Sequence, residues 1–271
     1  MLGASIIQEG QPTSWSYFGS YKDFIYQDNG EGKAPWVRPT VDHPPLFSLI
    51  PGFLHTFKNS WDQIPSMKLI RFPLVIIGTL NVLLLYLVAQ KIFREKKIVY
   101  LATLIYAVVP TFVLSSRLVV AENLLTTWML LAIYLVKSKL KYRNLFLILV
   151  SIAAILSKVS GLIIPLGIIL YGWQSQSKKI LTSGLVGFLL GEGSYLFYGA
   201  LLNWQLFLEV NLSQAGRDLG LATLTNRLFL HPTIVAKTFF DGWIILGLLA
   251  VVAWFLVEPK KYLIIKIYTV L

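Results

Sequence analysis

Long, nearly uninterrupted apolar blocks constrain this chain more than any other feature. A helix needs about 20 apolar residues to cross roughly 30 Å of bilayer hydrocarbon, and blocks close to that length occur at about 69–90, 98–115, 120–136 and 180–200. Only 14% of the residues are charged, against about 25% in ordinary soluble domains. The sequence therefore predicts an all-α, polytopic transmembrane helical bundle and excludes a soluble globular domain or a disordered chain.

One further block, residues 145–171, is interrupted by the polar segment 157–161. It fits either one tilted span or a hairpin of two short helices. Another span is expected at 241–257, whereas the final apolar run at 263–271 is too short to cross a bilayer. With the hairpin, the bundle has about seven membrane-embedded helices.

Positive charge indicates how the spans are oriented. Basic clusters follow the spans at these positions: Lys91, Arg94, Lys96 and Lys97; Lys137, Lys139, Lys141 and Arg143; Lys178 and Lys179; Lys260 and Lys261. Cytoplasmic loops carry an excess of lysine and arginine, and all of these clusters are cytoplasmic only if the interrupted block is a hairpin. We therefore predict the hairpin. Residues 1–68 and 203–240 then lie on the outer side, together with the turn at Arg117 and the hairpin tip at Lys158.

The first 68 residues contain no apolar block of spanning length. They predict an extracytoplasmic loop over 1–68 with a short interfacial helix over 44–57, followed by a transmembrane domain over 69–271. Translocation of such a polar segment normally needs a preceding signal or span. We therefore expect the chain to be a fragment of a longer protein that has a further span upstream of Met1 and a C-terminal remainder beyond Leu271.

The first candidate site is the pair Asp42-His43, which comes directly before Pro44-Pro45 and the predicted interfacial helix. A carboxylate and an imidazole lie there beside a helix N-terminus, where backbone N–H groups favour anions. In the alternative interpretation Asp42 caps this helix and His43 is a polar residue at the membrane interface.

Charged residues at the outer ends of the spans form the second candidate site. Arg117 and Glu122 flank a tight turn between two spans, and Lys158 lies at the hairpin tip. Charges at a membrane boundary are often functional when they face the bundle. The alternatives are that Glu122 stabilises the first turn of its helix and that Lys158 reaches toward lipid headgroups.

Two further groups of polar residues are weaker candidates. Glu192 lies within a predicted span. It is either a functional carboxylate or the partner of a hydrogen bond between helices, beside glycines that allow close packing. Segment 203–240 carries an excess of cations, which suits an anionic ligand or a solvated loop: Arg217, Arg227, His231 and Lys237. Aromatic residues in the first loop would suit stacking on a sugar: Trp15, Tyr17, Tyr21, Tyr26 and Trp36.

Several classes of enzyme are excluded by missing motifs. The chain has no phosphate-binding P-loop, no HExxH zinc motif, no GxSxG nucleophile motif and no dinucleotide fingerprint. With no cysteine, it also has no thiol catalysis and no cysteine-ligated metal.

The order of the short motifs resembles that of the glycosyltransferases with the GT-C fold. These motifs are Asp-His-Pro-Pro-Leu-Phe at 42–47, Arg71-Phe72-Pro73, Ser116-Arg117 through Glu122-Asn123, and Ser157-Lys158 with Gly161. The chain is most similar to bacterial relatives of the protein O-mannosyltransferases and of the aminoarabinose transferases that modify lipid A. The resemblance runs along most of residues 1–200.

The resemblance implies transfer of a sugar, with inversion, from a polyprenyl-phosphate donor to a lipid, glycan or protein acceptor. The reaction would take place on the outer face of a bacterial or archaeal plasma membrane, without nucleic acid. In relatives the catalytic aspartate lies shortly before a helix that ends in glycine, and residues 1–10 resemble that helix. The base is therefore expected upstream of Met1, and this fragment is expected to be inactive.

The resemblance also implies roles for residues that are present. Asp42 matches a carboxylate that binds a metal in some relatives, so a divalent metal at Asp42 is the one cofactor suggested. His43 matches a cation that contacts the lipid phosphate, and Asp42 is the remaining candidate base. The predicted substrate-binding residues are His43, Arg117, Glu122, Lys158, Arg217 and Arg227.

Two other functions stay open on the sequence. A transporter or flippase for an amphiphile would use the hairpin as a broken-helix site, although no inverted repeat is evident. A non-catalytic membrane subunit would not need the missing aspartate.

Overall fold

The structure, a computed structural model, is mostly helical and describes residues 1–28, 35–57, 59–64 and 66–215. The predicted span at 241–257 lies outside these residues, as do Arg217, Arg227, His231, Lys237, Lys260 and Lys261. The helices are α1 (Leu2–Glu9), α2 (Leu46–Thr56), α3 (Met67–Ile92), α4 (Lys96–Val108), α5 (Pro110–Ser115), α6 (Glu122–Val136), α7 (Arg143–Ser157), α8 (Ile163–Gln174) and α9 (Lys178–Ala215). The strands are β1 (Ser14–Trp15), β2 (Ile25–Gln27) and β3 (Trp36–Val37), and short 3-10 turns occur at Gly19–Tyr21 and Val159–Leu162.

The first loop contains a small antiparallel sheet, which corrects the all-α prediction. Its strand order is β1-β3-β2, with Ser14 opposite Val37 and Ile25 also opposite Val37. The strands have two or three residues each, too few for the alternating pattern by which a sequence reveals a strand.

Helices α1 and α2 cross at a very short distance. A Cβ added at Gly3 would lie 1.9 Å from the Ser48 carbonyl oxygen, and one at Gly52 would lie 2.5 Å from the Gly3 carbonyl carbon. Helix α1 ends at Gly10, whose φ of 68° is left-handed, a common helix end. The structure thus confirms a helix within the predicted interfacial segment 44–57 and another within 1–10.

An arginine clasp holds the first loop together. Arg38 donates to Thr13 Oγ1 at 2.7 Å and to Glu9 Oε2 at 2.5 Å, and its guanidinium lies 4.1 Å from the ring centre of Tyr26. The other Glu9 oxygen accepts from Trp61 Nε1 at 2.5 Å. These contacts connect α1, the sheet and the segment after α2 into one unit.

Two of the described helices are long and apolar enough to cross a membrane, Met67–Ile92 and Lys178–Gln214. Shorter apolar helices accompany them: Leu46–Thr56, Glu122–Val136, Arg143–Ser157 and Val159–Gln174. The total of about seven membrane-embedded helices stays a prediction.

The predicted span at 98–115 is not continuous. It divides into α4 and α5 at Val109, which has extended dihedrals (φ −65°, ψ 122°) and precedes Pro110. Proline disfavours helical geometry in the residue before it, so one span becomes helices of 13 and 6 residues.

The interrupted block 145–171 forms two helices, α7 and α8, that run in opposite directions. Close contacts on α9 occur in this order: Leu181 with Gly172 and Gly184 with Ile169 of α8, then Gly187 with Ser151 and Gly191 with Ile155 of α7. Helix α9 is therefore antiparallel to α8 and parallel to α7. The block is the predicted hairpin, with its tip after Lys158.

Helix α9 reverses at Asn203, whose dihedrals (φ −170°, ψ 102°) are not helical. Sixteen residues of straight helix would span about 24 Å, yet Tyr195 Oη lies 3.3 Å from Asn211 Oδ1. A Cβ at Gly199 would lie 2.4 Å from the Phe207 ring. Residues 204–215 therefore fold back as a helix, which corrects the prediction that an outer loop begins at 203.

The helices have two chemically different ends. One end, which carries the predicted site residues Asp42 and Lys158, is called the site end. There the first loop packs on α7 and α9 in one apolar cluster: Tyr21, Val37, Val41, Ile155, Tyr195, Leu206, Phe207 and Val210. At the basic end, Lys91 lies 5.4 Å from the ring centre of Tyr134, and Lys137 lies 5.4 Å from that of Tyr171. This confirms that the first loop and the hairpin tip lie together, opposite the three described basic clusters.

Candidate functional site

Asp42 is buried where the first loop meets the end of α9. Its exposed fraction is 6%, and its main-chain oxygen accepts from Gln214 Nε2 at 2.8 Å. The preceding residue, Val41, donates its N–H to the Tyr21 hydroxyl at 2.9 Å. Burial, with the charge of Asp42 adding to it, raises the pKa of the Tyr21 hydroxyl well above its ordinary value. The Asp42 carboxylate is thus largely removed from water.

The structure does not place Asp42 as a helix cap. Helix α2 begins at Leu46 after Pro45, and no side chain forms a capping hydrogen bond there. The N-cap residue is thus Pro45 and not Asp42, whereas His43 is exposed, as a polar residue at the membrane interface would be.

Asp42 and His43 line a cavity of about 430 Å³ within the first loop. Its other lining residues include Trp15 and Tyr17, whose side chains are 59% and 75% exposed. The cavity thus combines a carboxylate, an imidazole and open aromatic rings.

Glu122 and Lys158 form an ion pair beside this cavity. Lys158 Nζ contacts Glu122 Oε1, and the two side chains are 36% and 58% exposed. His43 is close enough to Glu122 to interact with it electrostatically. The pair joins the start of α6 to the hairpin tip, so the structure brings together four residues predicted from distant parts of the sequence: Asp42, His43, Glu122 and Lys158.

Arg117 lies on a different surface of the same end. It is exposed at the mouth of an apolar groove of about 830 Å³ between α3, α4 and α5. Along α3 the groove extends from Val75 to Tyr86, roughly 16 Å of helix at 1.5 Å per residue. None of the carboxylates in the described residues forms an ion pair with Arg117.

A buried hydrogen-bond network, which the sequence interpretation missed, lies under these charges. Asn123 Nδ2 donates to Ser115 O at 2.9 Å and to Leu118 O at 2.8 Å. Asn81 Nδ2 donates to Asn123 O at 3.2 Å, and Thr127 Oγ1 donates to Asn81 Oδ1 at 2.8 Å. The sequence contains a signal for this network, namely polar residues inside apolar blocks. Such residues commonly form hydrogen bonds between membrane helices.

The remaining predicted site residues are not part of this group. Glu192 lies half-buried on α9, one helical turn before Tyr195. Arg217 and Arg227 lie outside the described residues.

The described residues do not fit a metal centre. Across 1–28, 35–57, 59–64 and 66–215, no three His, Asp or Glu side chains converge in a way that could hold a metal ion. Within that part of the chain, Asp42 and His43 supply two adjacent potential ligands without a third.

The arrangement suits transfer to an acceptor with loss of an anionic leaving group. A buried carboxylate can accept a proton from a hydroxyl, and cations stabilise negative charge that develops on a phosphate. An apolar groove that ends at a cation fits an amphiphile with an anionic head.

The fold and the site define a membrane-embedded helical protein with charged residues at one end of its helices. Residues 42–191, more than half of the chain, match the family described as dolichyl-phosphate-mannose-protein mannosyltransferase. The chain belongs to this family. No curated protein and no solved structure matches it.

Membership confirms the resemblance inferred from the motif order, and the match begins at Asp42 and includes Arg117, Glu122 and Lys158. The protein is therefore a membrane glycosyltransferase that uses a lipid-linked sugar donor.

Proposed function

We propose that the protein moves a hexosyl or pentosyl group from a polyprenyl-phosphate donor to a hydroxyl acceptor on the extracytoplasmic side of the membrane. The observation that carries this proposal is the convergence of Asp42, His43, Glu122 and Lys158 at the end of the helices where a separate apolar groove reaches Arg117. The acceptor is a lipid, a glycan or a protein.

In this reaction the acceptor oxygen forms a bond to the anomeric carbon while the bond from that carbon to the phosphate oxygen breaks. The electron pair leaves with the phosphate, whose charge is stabilised by Lys158. Arg117, at the mouth of the groove, adds positive charge at the same end of the helices. The acceptor proton goes to the Asp42 carboxylate, which is buried in the wall of the cavity. His43, exposed beside Asp42, contacts the phosphate or the sugar.

The groove and the cavity supply separate places for the two substrates. The apolar groove between α3, α4 and α5 holds the first part of the polyprenyl chain. The cavity with Trp15 and Tyr17 holds the acceptor. Glu122 lies at the start of α6 between them, since Arg117 precedes it by five residues and His43 is within electrostatic range.

The orientation follows from charge. All the described basic clusters lie at the end opposite the site, and cytoplasmic loops are enriched in lysine and arginine. The site end therefore faces the extracytoplasmic side.

The test is sugar release from radiolabelled polyprenyl-phosphate mannose by membranes that contain the full-length protein. Incorporation of the label is followed in lipid, glycan and protein fractions. Asp42→Asn is expected to lower transfer by about 100-fold, the usual contribution of a general base. The matched control is Asp23→Asn, an exposed carboxylate of the same loop, which should leave transfer unchanged.

His43→Ala is expected to lower transfer as well, with membrane insertion intact. If Asp42→Asn and His43→Ala both retain the parental rate, the site assignment is wrong. If the full-length protein releases no sugar from this donor, the proposed function itself is wrong.

A further inference from the structure

Each charge of the Glu122–Lys158 pair has a buried polar neighbour in the chain. Glu122 is followed by Asn123, and Lys158 is preceded by Ser157. Asn123 and Ser157 are 8% and 3% exposed, whereas the charged side chains themselves are largely accessible. The buried side chains are therefore the sequence neighbours of the charged residues, and not the charged residues themselves.

The ion pair cannot fix its own position. Exposed ion pairs contribute little net free energy, because the Coulomb attraction is screened and ordering two long side chains costs entropy. Other contacts must set where Glu122 and Lys158 stand.

Asn123 anchors the Glu122 side. Its side-chain amide closes the turn between α5 and α6 by donating to Ser115 O and Leu118 O. Its carbonyl accepts from Asn81 of α3. The backbone on both sides of Arg117 and directly after Glu122 is thereby fixed to α3.

Trp128 anchors the Lys158 side. Its indole Nε1 donates at 3.0 Å to Ser157 Oγ, which in turn donates at 2.6 Å to Ala153 O. Trp128 thus connects α6 to the last residue of α7, directly before the hairpin tip. A Cβ at Gly161 would lie 2.1 Å from Ala154 O, so the tip also packs tightly against α7.

We propose that Asn123 and Trp128 are positioning residues, whose hydrogen bonds from α6 set the place of the Glu122–Lys158 pair and of the Arg117 turn. This inference rests on the proposed function for its purpose, since these charges would meet the donor phosphate. Its geometry can be tested without catalysis.

The experiment measures acylation of Lys158 by an N-hydroxysuccinimide acetate reagent, using the full chain in lipid nanodiscs and mass spectrometry of peptides. The contact with Glu122 engages the Lys158 amine, which must leave the pair before it can attack the reagent. Glu122→Gln is expected to raise the acylation rate about fivefold, the effect of losing an exposed ion pair, and it gives the upper limit. Asn123→Ala and Trp128→Phe should each approach that limit.

Matched controls separate positioning from general loosening. Thr126→Val removes a hydroxyl that bonds only within α6, to Glu122 O at 3.0 Å, and should leave the rate unchanged. Ser157→Ala should act like Trp128→Phe, and the double variant should exceed neither single variant, because all three remove one bond. Ser157→Thr keeps a hydroxyl and should restore the parental rate. If the Trp128→Phe variant does not insert into the membrane, Ser157→Ala alone tests the hydrogen bond between Trp128 and Ser157.

The inference is overturned if Asn123→Ala and Ser157→Ala leave Lys158 at its parental rate while Glu122→Gln raises it. It is also overturned if Glu122→Gln changes nothing, since no pair is then formed. Sugar transfer measured on the same preparations keeps the two proposals apart. If the parental chain shows the expected labelling pattern but no sugar transfer, only the proposed function is wrong. If the variants leave sugar transfer unaffected, only the positioning role is wrong.

Discussion

The cations at the two ends of the helix bundle have different partners. At the site end, Lys158 is paired with Glu122 and Arg38 with Glu9. At the basic end, Lys91 and Lys137 lie over tyrosine rings. An excess of lysine and arginine is typical of cytoplasmic loops, and the basic end fits that pattern.

The site end contains carboxylates, which orientation does not require. It also contains the buried polar residues that membrane helices rarely carry without a purpose: Asp42, Asn81, Asn123 and Thr127. Carboxylates are not confined to this end, since Glu95 lies within the first basic cluster. Among the described residues, the ion-paired carboxylates and the buried amides distinguish the two ends.

The largest expected difference between the ends concerns activity. Lys158→Ala should lower sugar transfer by about 100-fold, because one preorganised group that stabilises developing charge contributes on that scale. Lys137→Ala, its counterpart at the basic end, should change transfer by less than about twofold. Equal losses in the two variants, measured at matched protein levels in membranes, would remove the functional distinction between the ends.

The next largest effect concerns stability at the hairpin tip. Gly161→Leu should lower the free energy of unfolding by about 2 to 3 kcal/mol, since overpacking against the Ala154 carbonyl must displace backbone. Gly193→Leu on α9 is the control, because an added Cβ there meets nothing within 4 Å. Thermal unfolding in detergent measures both, and equal stability of the two variants would contradict the close contact at the tip.

Tyr21→Phe should lower stability by about 1 to 2 kcal/mol, because the buried Val41 N–H loses its acceptor. The raised pKa of Tyr21 in the folded protein also makes the folded state bind this proton more tightly than the unfolded state. The Tyr21 contribution is therefore complete below about pH 10 and declines above it. Unfolding measured across pH 8 to 11 should show a shallower decline in the variant, and an unchanged decline would exclude Tyr21 as its source.

The clasp in the first loop is expected to have a somewhat smaller effect. Arg38→Lys should lower stability by about 1 kcal/mol, since lysine keeps the charge but loses the planar contacts with Thr13, Glu9 and Tyr26. Lys22→Arg at an exposed position of the same loop is the control. The free energy of unfolding of the Arg38→Lys and Lys22→Arg variants is measured by denaturant unfolding, and equal values would contradict a stabilising role of the clasp.

The smallest expected effect is at the basic end. Tyr134→Leu should lower stability by about 0.5 to 1 kcal/mol through loss of the cation–π contact with Lys91, and transfer should stay unchanged. A large loss of transfer would show that the basic end takes part in function.

Much of the helical framework could be predicted because long apolar blocks determine it. Positive charge resolved the ambiguous block 145–171 correctly, and the order of spans placed Glu122 and Lys158 at the same end. Pro110 itself could have indicated the break between α4 and α5. The apolar block continues on both sides of it without a change in composition, and this favoured a single span.

The features that could not be predicted depend on contacts between distant residues. Nothing in the local pattern around Asn203 indicates that Tyr195 and Asn211 meet, because reversal of a helix is determined by what it packs against. Trp128 and Ser157 are individually ordinary residues of apolar helices, and their hydrogen bond follows only from the packing of α6 on α7.

The fold-back of α9 has a consequence for how the protein is made. Gln214 donates its side-chain amide to the carbonyl of Asp42, 172 residues earlier in the chain. During synthesis, the ribosome must therefore produce the first loop, the helices α3 to α8 and both arms of α9 before this contact can form. Contacts of such long separation form late, because loop closure must precede them. The candidate site is thus among the last parts of the described structure to mature, and a nascent chain released before residue 214 would insert its helices with the wall around Asp42 unfinished.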